Sequence, residues 1–483
     1  MACFIGIDIG TQGARVVLVN KQGTILGQEE QIFPLSDESR EEQSPAEWWE
    51  ACYNSLLRLV SSDGAKQVLN DIVALSVTST SGTVIPLDAD HKPLHNAIMY
   101  SDKRSVTQAK LCTNTALKYH NQGYTAFNIS SGLAKMVWFG DTYPDKAKNI
   151  AKWVHAADYI TGLLSDVWGV TDYTNAFKSG YDVSEYYWPE YLYTKLPLKK
   201  EWLPEVVSSG TVIGTVSKKT ARALGLPLTV KVTVGLTDGC ASQIASGAIS
   251  PGQWNTTIGT TMVIKGVTRK EVADPLGRLY SHRHPAGYWM PGGASNTGAD
   301  WVSNNFAAKL TQLNQEAKDL IPTGYISYPL RQEGERFPFI AAKARGFEPE
   351  GLTEAERYTA NMEGVAYLER YAYELIEQLS GEQVTAVYTA GGASNSDVWL
   401  IIRSNVLNKP IYKMKDVSGA VGAAILASSK TFFSDIVQAV KQMVLVEKEV
   451  HPTDSLTKNY ENNYQRFLEM MRIKGFIKEE ADA

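Results

Sequence analysis

Cysteine is scarce in this chain, with four in 483 residues. Cys3, Cys52, Cys112 and Cys240 stand far apart, and no pair has the spacing of a zinc site or a redox motif. That excludes a disulfide-stapled scaffold, and free thiols in a reducing compartment are the simplest reading. Clusters of Lys and Arg interleaved with aromatics are missing too, and the formal net charge is −5. Binding to nucleic acid by neutralising its backbone therefore has no support. Long apolar runs are absent. The stretch "GAVGAAILA", residues 419–427, is too short to span a bilayer. The start "MACFIGIDIG" has no basic segment and is interrupted by Asp8, so it does not read as a signal peptide. His282 and His284 form a His-x-His pair without a third ligand nearby, and no metal is expected there. A cytoplasmic protein with no membrane and no nucleic-acid partner is expected.

What is present is an ordinary globular mix, 44% apolar and 20% charged, in a chain too long for one core. Two large domains are the natural expectation. "CFIGIDIGTQGARVVLVNKQG" reads as two strands closed by a Gly-Thr turn, followed by an Asn-Lys-Gln-Gly turn. "GQWNTTIGTTMVIKGVT", residues 252–268, repeats the plan in the second half. Two strand–Gly-Thr–strand hairpins in two halves suggest two similarly built domains facing each other. "SPAEWWEACYNSLLRLVSS" carries Ser44 as N-cap and Pro45 at the first helical position. "DIVALSVTS" reads as a buried strand. A long amphipathic helix, "ERYTANMEGVAYLERYAYELIEQL", precedes a strand, the turn Gly391-Gly392 and a further helix. That Gly-rich turn lets backbone approach a nucleotide. A last amphipathic helix, "NYENNYQRFLEMMRIKGF", lies near the end.

Four turns of small residues follow apolar strands: residues 8–11, 78–83, 237–239 and 258–261. Strand ends in α/β sheets are where ligands bind. Glycines and threonines there offer backbone N–H groups and short hydroxyls that suit phosphate. Two of the turns also hold a carboxylate, Asp8 and Asp238. An isolated Asp-Gly such as Asp238-Gly239 is ordinary turn chemistry. Beside a phosphate, however, a carboxylate is unfavourable unless it holds a cation or takes a proton. Phosphoryl transfer needs both services.

Seven stretches, in order, resemble the FGGY family of carbohydrate kinases, in the superfamily of sugar kinases, heat-shock chaperones and actin. "IGIDIGTQGARVVLV" is similar to the first phosphate hairpin and "EEQSPAEWW" to a Glu-Gln-x-Pro-x-x-Trp-Trp stretch. "VGLTDG" is similar to the catalytic-base turn and "TTIGTT" to the second phosphate hairpin. "EGERFP" with "ARGF", "TAGGASNS" and "SGAVGAAILA" complete the set. Two departures stand out. "VWLIIRSNVL" lacks the Gln and Ala-Asp frequent elsewhere, and "SSGLAKMVWFG" has Gly132 where Pro, Ser or Thr is usual.

The resemblance implies an α/β fold of two actin-like, ribonuclease H-like domains with the active site in a cleft between them. The implied bounds are 1–245, carrying sugar, first hairpin and base, and 246–430, carrying ATP. Residues 431–483 would form a helical segment packing back on the N-terminal domain. Asp238 would take the proton of the sugar hydroxyl and lie against the sugar with Ser81 and Asp102. Gly10, Thr11, Gly259 and Thr260 would meet the phosphates, and Gly391, Gly392 and Asn395 the nucleotide. Asp8 would hold Mg²⁺ through water, since that ion dehydrates reluctantly. "TSTSGTVIPLD", "YSHRHPAGYWMPGGASN" and "TDYTNAFKSGY" resemble D-ribulose kinases, whereas Asp102-x-Arg104 is shared more widely among pentulose kinases. D-Ribulose is therefore expected ahead of D-xylulose, in a monomer or homodimer using ATP and Mg²⁺. The competing reading is a non-metabolic ATPase on the same scaffold, which would need no base aimed at a sugar.

Overall fold

A computed structural model describes residues 2–120 and 124–478. The chain divides into two compact units. One comprises Met1–Ala245, Pro285–Gly287 and Asp416–Val444, and the other Ser246–His284, Tyr288–Lys415 and Leu445–Ala483.

The first unit is built on a six-stranded sheet of β1 (Cys3–Gly10), β2 (Gly13–Asn20), β3 (Ile25–Ile32), β4 (Ile72–Ser79), β5 (Val212–Thr215) and β6 (Lys231–Thr237), in the order β3-β2-β1-β4-β6-β5. The three central strands β1, β4 and β6 are parallel, and the flanking strands are antiparallel to their neighbours. Central parallel strands are covered on both faces, which is why β1 and β4 read as near-continuous apolar runs. The outer β3, "ILGQEEQI", exposes its Glu and Gln to water instead. Helix α1 (Pro45–Ser61) turns Trp48, Ala51, Cys52, Leu56 and Leu59 inward at helical spacing. Its cap is the expected one, with the Ser44 hydroxyl accepting from Glu47 N and Pro45 opening the helix. Such a cap contributes about 0.5–2 kcal/mol. Helix α2 (Asp238–Ala245) starts directly at the end of β6.

The second unit repeats this plan. Strands β7 (Gln253–Ile258), β8 (Met262–Gly266), β9 (Tyr280–Arg283), β10 (Trp289–Ser295), β11 (Ala386–Ala390), β12 (Ile411–Met414) and β13 (Val446–Val450) lie in the order β9-β10-β8-β7-β11-β12-β13. From β10 to β13 the relative directions match those from β3 to β5, strand for strand. Only the route differs, since edge strand β5 precedes β6 in the chain whereas β13 follows β12. Helix α3 (Glu354–Ser380) opens with a Thr353–Glu356 capping box and is buried along much of its length. Helix α4 (Asp397–Leu407) follows the Gly-rich turn and carries Arg403, whose guanidinium makes a buried two-pronged pair with Glu369, 2.7 Å on each prong.

The chain then crosses back to the first unit, to which residues 416–444 belong. The reason is helix α5 (Gly419–Ser428), which is so small-sided that it lies directly on β1 and α2. A Cβ on Gly6 would stand 1.8 Å from the Ala420 carbonyl oxygen, and one on Gly422 would stand 2.0 Å from that of Ala241. The final helix, α6 (Asp454–Ile473), packs within the second unit. Its Tyr460, Tyr464 and Phe467 join the core containing Tyr328 and Tyr367. The Tyr460 and Tyr464 hydroxyls donate to Glu363 and Glu374 at 3.0 and 2.5 Å. Residues 479–483 of the expected C-terminal segment lie outside the described residues.

Candidate active site

In the first unit the three parallel strands end along one edge. Asp8 on β1 and Leu236 on β6 both pair with Thr78 on β4, and Thr237 pairs with Ser79. Asp238 therefore follows one residue beyond the pairing level of Ser79. Two strand spacings put its backbone about 10 Å from that of β1, with the 78–83 loop between them. Buried hydroxyls hold this edge. Thr78 Oγ1 donates to the Leu236 carbonyl at 2.7 Å, Ser79 Oγ accepts from Ala157 N at 2.9 Å, and Thr80 and Thr83 hydroxyls lie 2.8 Å apart. Gly82 is required where it stands: its φ is +83°, and a Cβ would meet the Ser130 carbonyl oxygen at 2.2 Å. The Ser81 hydroxyl oxygen is buried without a hydrogen-bond partner.

The Asp8 carboxyl is strongly perturbed. Burial, then the charge of Asp238, push its carboxyl up to about 7, against a smaller opposing effect of Arg15. Its Oδ2 lies so close to the start of α5 that a Cβ on Gly419 would stand 2.6 Å away, and its Oδ1 is buried without a partner. A helix N-terminus favours the ionised form, yet desolvation and the second carboxylate win. A buried, unsatisfied oxygen beside another acid fits a bound cation, which would restore the ionised state. Among the described residues no group of three or more His, Cys, Asp or Glu could hold a metal by itself. A lone carboxylate suits a hydrated Mg²⁺ held mainly by phosphate oxygens and water.

Asp238 opens α2, and its Oδ1 accepts from Gly239 N at 2.6 Å. The residue before it is anchored by groups that the sequence did not single out. Thr237 N donates to Thr174 Oγ1 at 2.9 Å, and that hydroxyl donates to the buried Asp172 at 2.8 Å, which also accepts from Ser209 at 2.6 Å. The only sign of this bracket was its place in "TDYTNAFKSGY".

The β1–β2 turn, with Gly10 and Thr11, is braced from α1. Gln43 Nε2 donates to the Thr11 carbonyl at 2.9 Å, and Trp48 Nε1 donates to Gln43 Oε1 at 2.8 Å. Gln43 and Trp48 of the "EEQSPAEWW" stretch thus act at the turn.

Asp102 behaves differently from its expected contact with a ligand. It is 1% exposed, and both its oxygens accept from Arg104, with Nε at 3.1 and 3.0 Å, Nη2 at 2.7 Å and the backbone N at 2.8 Å. Three N–H groups of one residue thus engage both carboxylate oxygens within the protein. Arg104 continues to Glu42 at 2.7 Å and lies 4.3 Å over the Trp138 ring. Nearby, burial pushes the Lys135 ammonium down to about 7, partly offset by Asp102, and it donates to the Ile129 carbonyl.

In the second unit, Ile258 pairs with Met262 around Gly259 and Thr260, and Gly259 N donates to the Thr261 carbonyl at 3.0 Å. After β11, Gly391 has φ +86°, and a Cβ there would meet the Ile258 carbonyl oxygen at 2.5 Å. Gly391 thus serves the protein's own packing. Gly392 and Asn395 are exposed while Ala393 and Ser394 between them are buried. They lie three apart in a single 3₁₀ turn, Gly392–Asn395, and so share a face.

The glycines separate cleanly by this test. Among those whose surroundings are described, only Gly10, Gly140, Gly259 and Gly392 have neither a positive φ nor a neighbour closer than ordinary contact to a Cβ. Three of these four sit at expected ligand turns. The protein's own packing does not require glycine there.

Residues 3–245 match the N-terminal domain of the FGGY family of carbohydrate kinases, and residues 254–430 match its C-terminal domain. The chain belongs to this family. Along nearly its whole length it is similar to the xylulose kinase of Bacillus subtilis (strain 168), 26% identical over 487 residues, which cover 97% of this chain and 96% of that protein. It is also similar to the gluconokinase of the same strain, 25% identical over 497 residues, covering 97% and 95%. Among solved structures, the xylulose kinase from Rhodospirillum rubrum superposes with a TM-score of 0.84 at 23% identity, covering 98% of each chain. As an FGGY member the protein is a carbohydrate kinase, a phosphotransferase whose acceptor is an alcohol group. None of its described helices is long and apolar enough to cross a membrane.

Proposed function

We propose that this carbohydrate kinase transfers the γ-phosphate of ATP to a hydroxyl of a ketopentose, with D-ribulose as the preferred acceptor and D-ribulose 5-phosphate as the product. The observation that carries the reading is the edge bearing Asp8, the 78–83 loop and Asp238, two carboxylates and a buried free hydroxyl oxygen at neighbouring strand ends. Asp238 accepts the proton of the attacking hydroxyl and orients that hydroxyl. Because the phosphoryl transition state is largely dissociative, alignment counts as much as proton removal. The Ser81 hydroxyl binds the sugar. Asp102 acts from behind, holding Arg104 in place. Gly10, Thr11, Gly259 and Thr260 offer backbone and hydroxyl donors to the phosphates, while the exposed face of Gly392 and Asn395 takes the nucleoside. Asp8 is the residue that would hold Mg²⁺, which when bound neutralises charge on the phosphates.

D-Xylulose is the second reading, favoured by the relatives named xylulose kinase. An ADP-release assay over D-ribulose, D-xylulose, L-ribulose, ribitol, glycerol and gluconate tests the proposal. The highest kcat/KM on D-ribulose supports it. A highest value on D-xylulose replaces the acceptor but keeps the class, and a highest value on gluconate or glycerol overturns the pentulose reading.

A further inference from the structure

Glu335 lies in the second unit and is 3% exposed. A buried carboxylate is costly unless its lone pairs are filled, and here they are. Oε2 accepts from three hydroxyls, Ser295, Thr297 and Tyr328, each at 2.9 Å. Oε1 accepts from the backbone N of Asn296 at 2.7 Å and of Arg336 at 2.9 Å. The Asn296 side chain ties back to the Gly334 carbonyl at 2.9 Å. One acid thereby fixes residues 295–297 at the end of β10.

That segment backs the Gly-Thr turn of the second hairpin. The Thr297 carbonyl accepts from Met262 N at 2.9 Å, and the Gly259 carbonyl accepts from Ala299 N at 2.7 Å. Gly298 lies against the turn itself, where a Cβ would come within 2.5 Å of the Thr260 carbonyl oxygen and 2.6 Å of Thr261 Cα. Trp301 Nε1 closes the bracket on the Gly298 carbonyl at 2.9 Å. Moving residues 295–298 therefore moves Gly259 and Thr260.

We infer that Glu335 is a positioning residue for phosphoryl transfer: by clamping residues 295–298 it holds the Gly259–Thr260 turn in the geometry that receives the phosphates of ATP. The inference rests on the reading of that turn as a phosphate site. Misplacing a reacting group by about 1 Å can cost roughly 100-fold, so a modest slackening of the clamp is enough to be measured.

The test uses the full chain and two probes, ADP and adenosine, bound to Glu335→Ala and Glu335→Gln in calorimetry, with steady-state kinetics alongside. Glu335→Ala is expected to weaken ADP and to raise the KM for ATP by about 10- to 100-fold. Adenosine affinity and the KM for the sugar should stay within about twofold, because neither involves the turn. Glu335→Gln keeps the acceptor toward the two backbone N–H groups, and two of the three hydroxyls can rotate to accept from its amide, so it should recover most of the loss. Should Glu335→Ala fail to fold, Thr297→Val removes one clamp hydroxyl and is read the same way, with a smaller shift. A lower melting temperature with unchanged ADP affinity would overturn the inference, leaving Glu335 a core residue only. Equal loss of ADP and adenosine would overturn it as well. Gly259→Ala separates this from the underlying reading. If it leaves ADP affinity unchanged, the turn is not a phosphate site and the inference falls with it. If it weakens ADP while Glu335→Ala does not, only the positioning role is lost.

Discussion

The two hairpin turns differ by a single residue in four: Asp8-Ile9-Gly10-Thr11 in the first unit and Thr257-Ile258-Gly259-Thr260 in the second. Their sheets have matching strand order and directions, so Asp8 and Thr257 occupy corresponding places. Asp8 has a buried oxygen without a partner and a carboxyl raised to about 7. The Thr257 hydroxyl accepts quietly from Asn255 Nδ2 at 3.0 Å. The first sheet's strand ends carry two acids beside their hydroxyls and glycines, whereas the Gly-Thr and Gly-Gly turns of the second carry hydroxyls and glycines. On this reading cation and proton chemistry belong to the first sheet, while both Gly-Thr turns serve the phosphates. A raised carboxyl alone does not mark a site, however. Glu363 in the second unit is also pushed up to about 7 by burial, yet it is enclosed by donors from Thr323 and Tyr460 and locks a helix into the core. What distinguishes Asp8 is the unfilled oxygen at a strand end.

The largest expected effect comes from removing an acid that the second sheet does not have. Asp238→Asn should fold normally and bind ADP normally, since Asn is as good a turn former. Turnover should fall by about 10²–10⁴, the usual value of general-base help. Near-normal turnover on the best pentulose would end the catalytic assignment.

Next comes Asp8→Thr, which gives the first turn the sequence of the second. A cation contributes several kcal/mol of charge stabilisation in such transfers, so turnover should drop by roughly 100-fold, most severely at limiting Mg²⁺. Sugar affinity should barely change. Normal turnover at limiting Mg²⁺ would show that the difference between the turns is incidental.

Gly259→Ala and Gly392→Ala probe the side that lacks acids. Neither Cβ meets anything in the protein, so thermal stability should hold while the KM for ATP rises about tenfold, the equivalent of about 1.4 kcal/mol. Gly140→Ala, within the helix Gly132–Thr142 of the first unit, is the control. It should stabilise by about 0.5–1 kcal/mol and leave the KM alone. Unchanged ATP affinity in both turn variants would remove the argument drawn from their glycines.

The smallest effect is on stability against pH. Asp8 titrates near 7 when folded and near 3.9 when unfolded. At Asp8 the native state therefore binds more protons between these values, and this carboxyl's contribution to stability falls as pH rises from about 4 to about 7. Glu363 contributes a slope of the same sign. Unfolding of the ligand-free protein at several pH values should show a shallower fall in Asp8→Asn than in the wild type. An unaltered slope would mean that Asp8 is ionised throughout.

Local signals were read well. The Ser44 cap, the strands around each Gly-Thr turn and the long helix of residues 354–380 follow from apolar spacing and turn chemistry, which act within a few residues. The candidate residues at strand ends were legible for the same reason. The braces behind them were not. Gln43 reaches Thr11 across 32 positions, Thr174 reaches Thr237 across 63, and Glu335 reaches Ser295 across 40. Their identities as polar residues inside motifs gave no hint of the partner. The fork that Arg104 makes on Asp102 is likewise a product of the fold and cannot be read from the two residues' neighbourhood in sequence.

By itself, then, the sequence determined the family, the repeated hairpin plan, the class of reaction and the place of two acids at strand ends, because each is written in short contiguous patterns whose physics is local. Tertiary structure decided where the chain crosses from one unit to the other, which glycines serve packing and which leave room at an expected ligand turn, and which acid is saturated and which is open. The physical reason is that burial and hydrogen-bond saturation depend on what packs against a residue from distant parts of the chain. Asp8 owes its raised carboxyl to desolvation and to Asp238, 230 positions away, and the helix start pressed against it comes from residue 419. No window of sequence around residue 8 contains either.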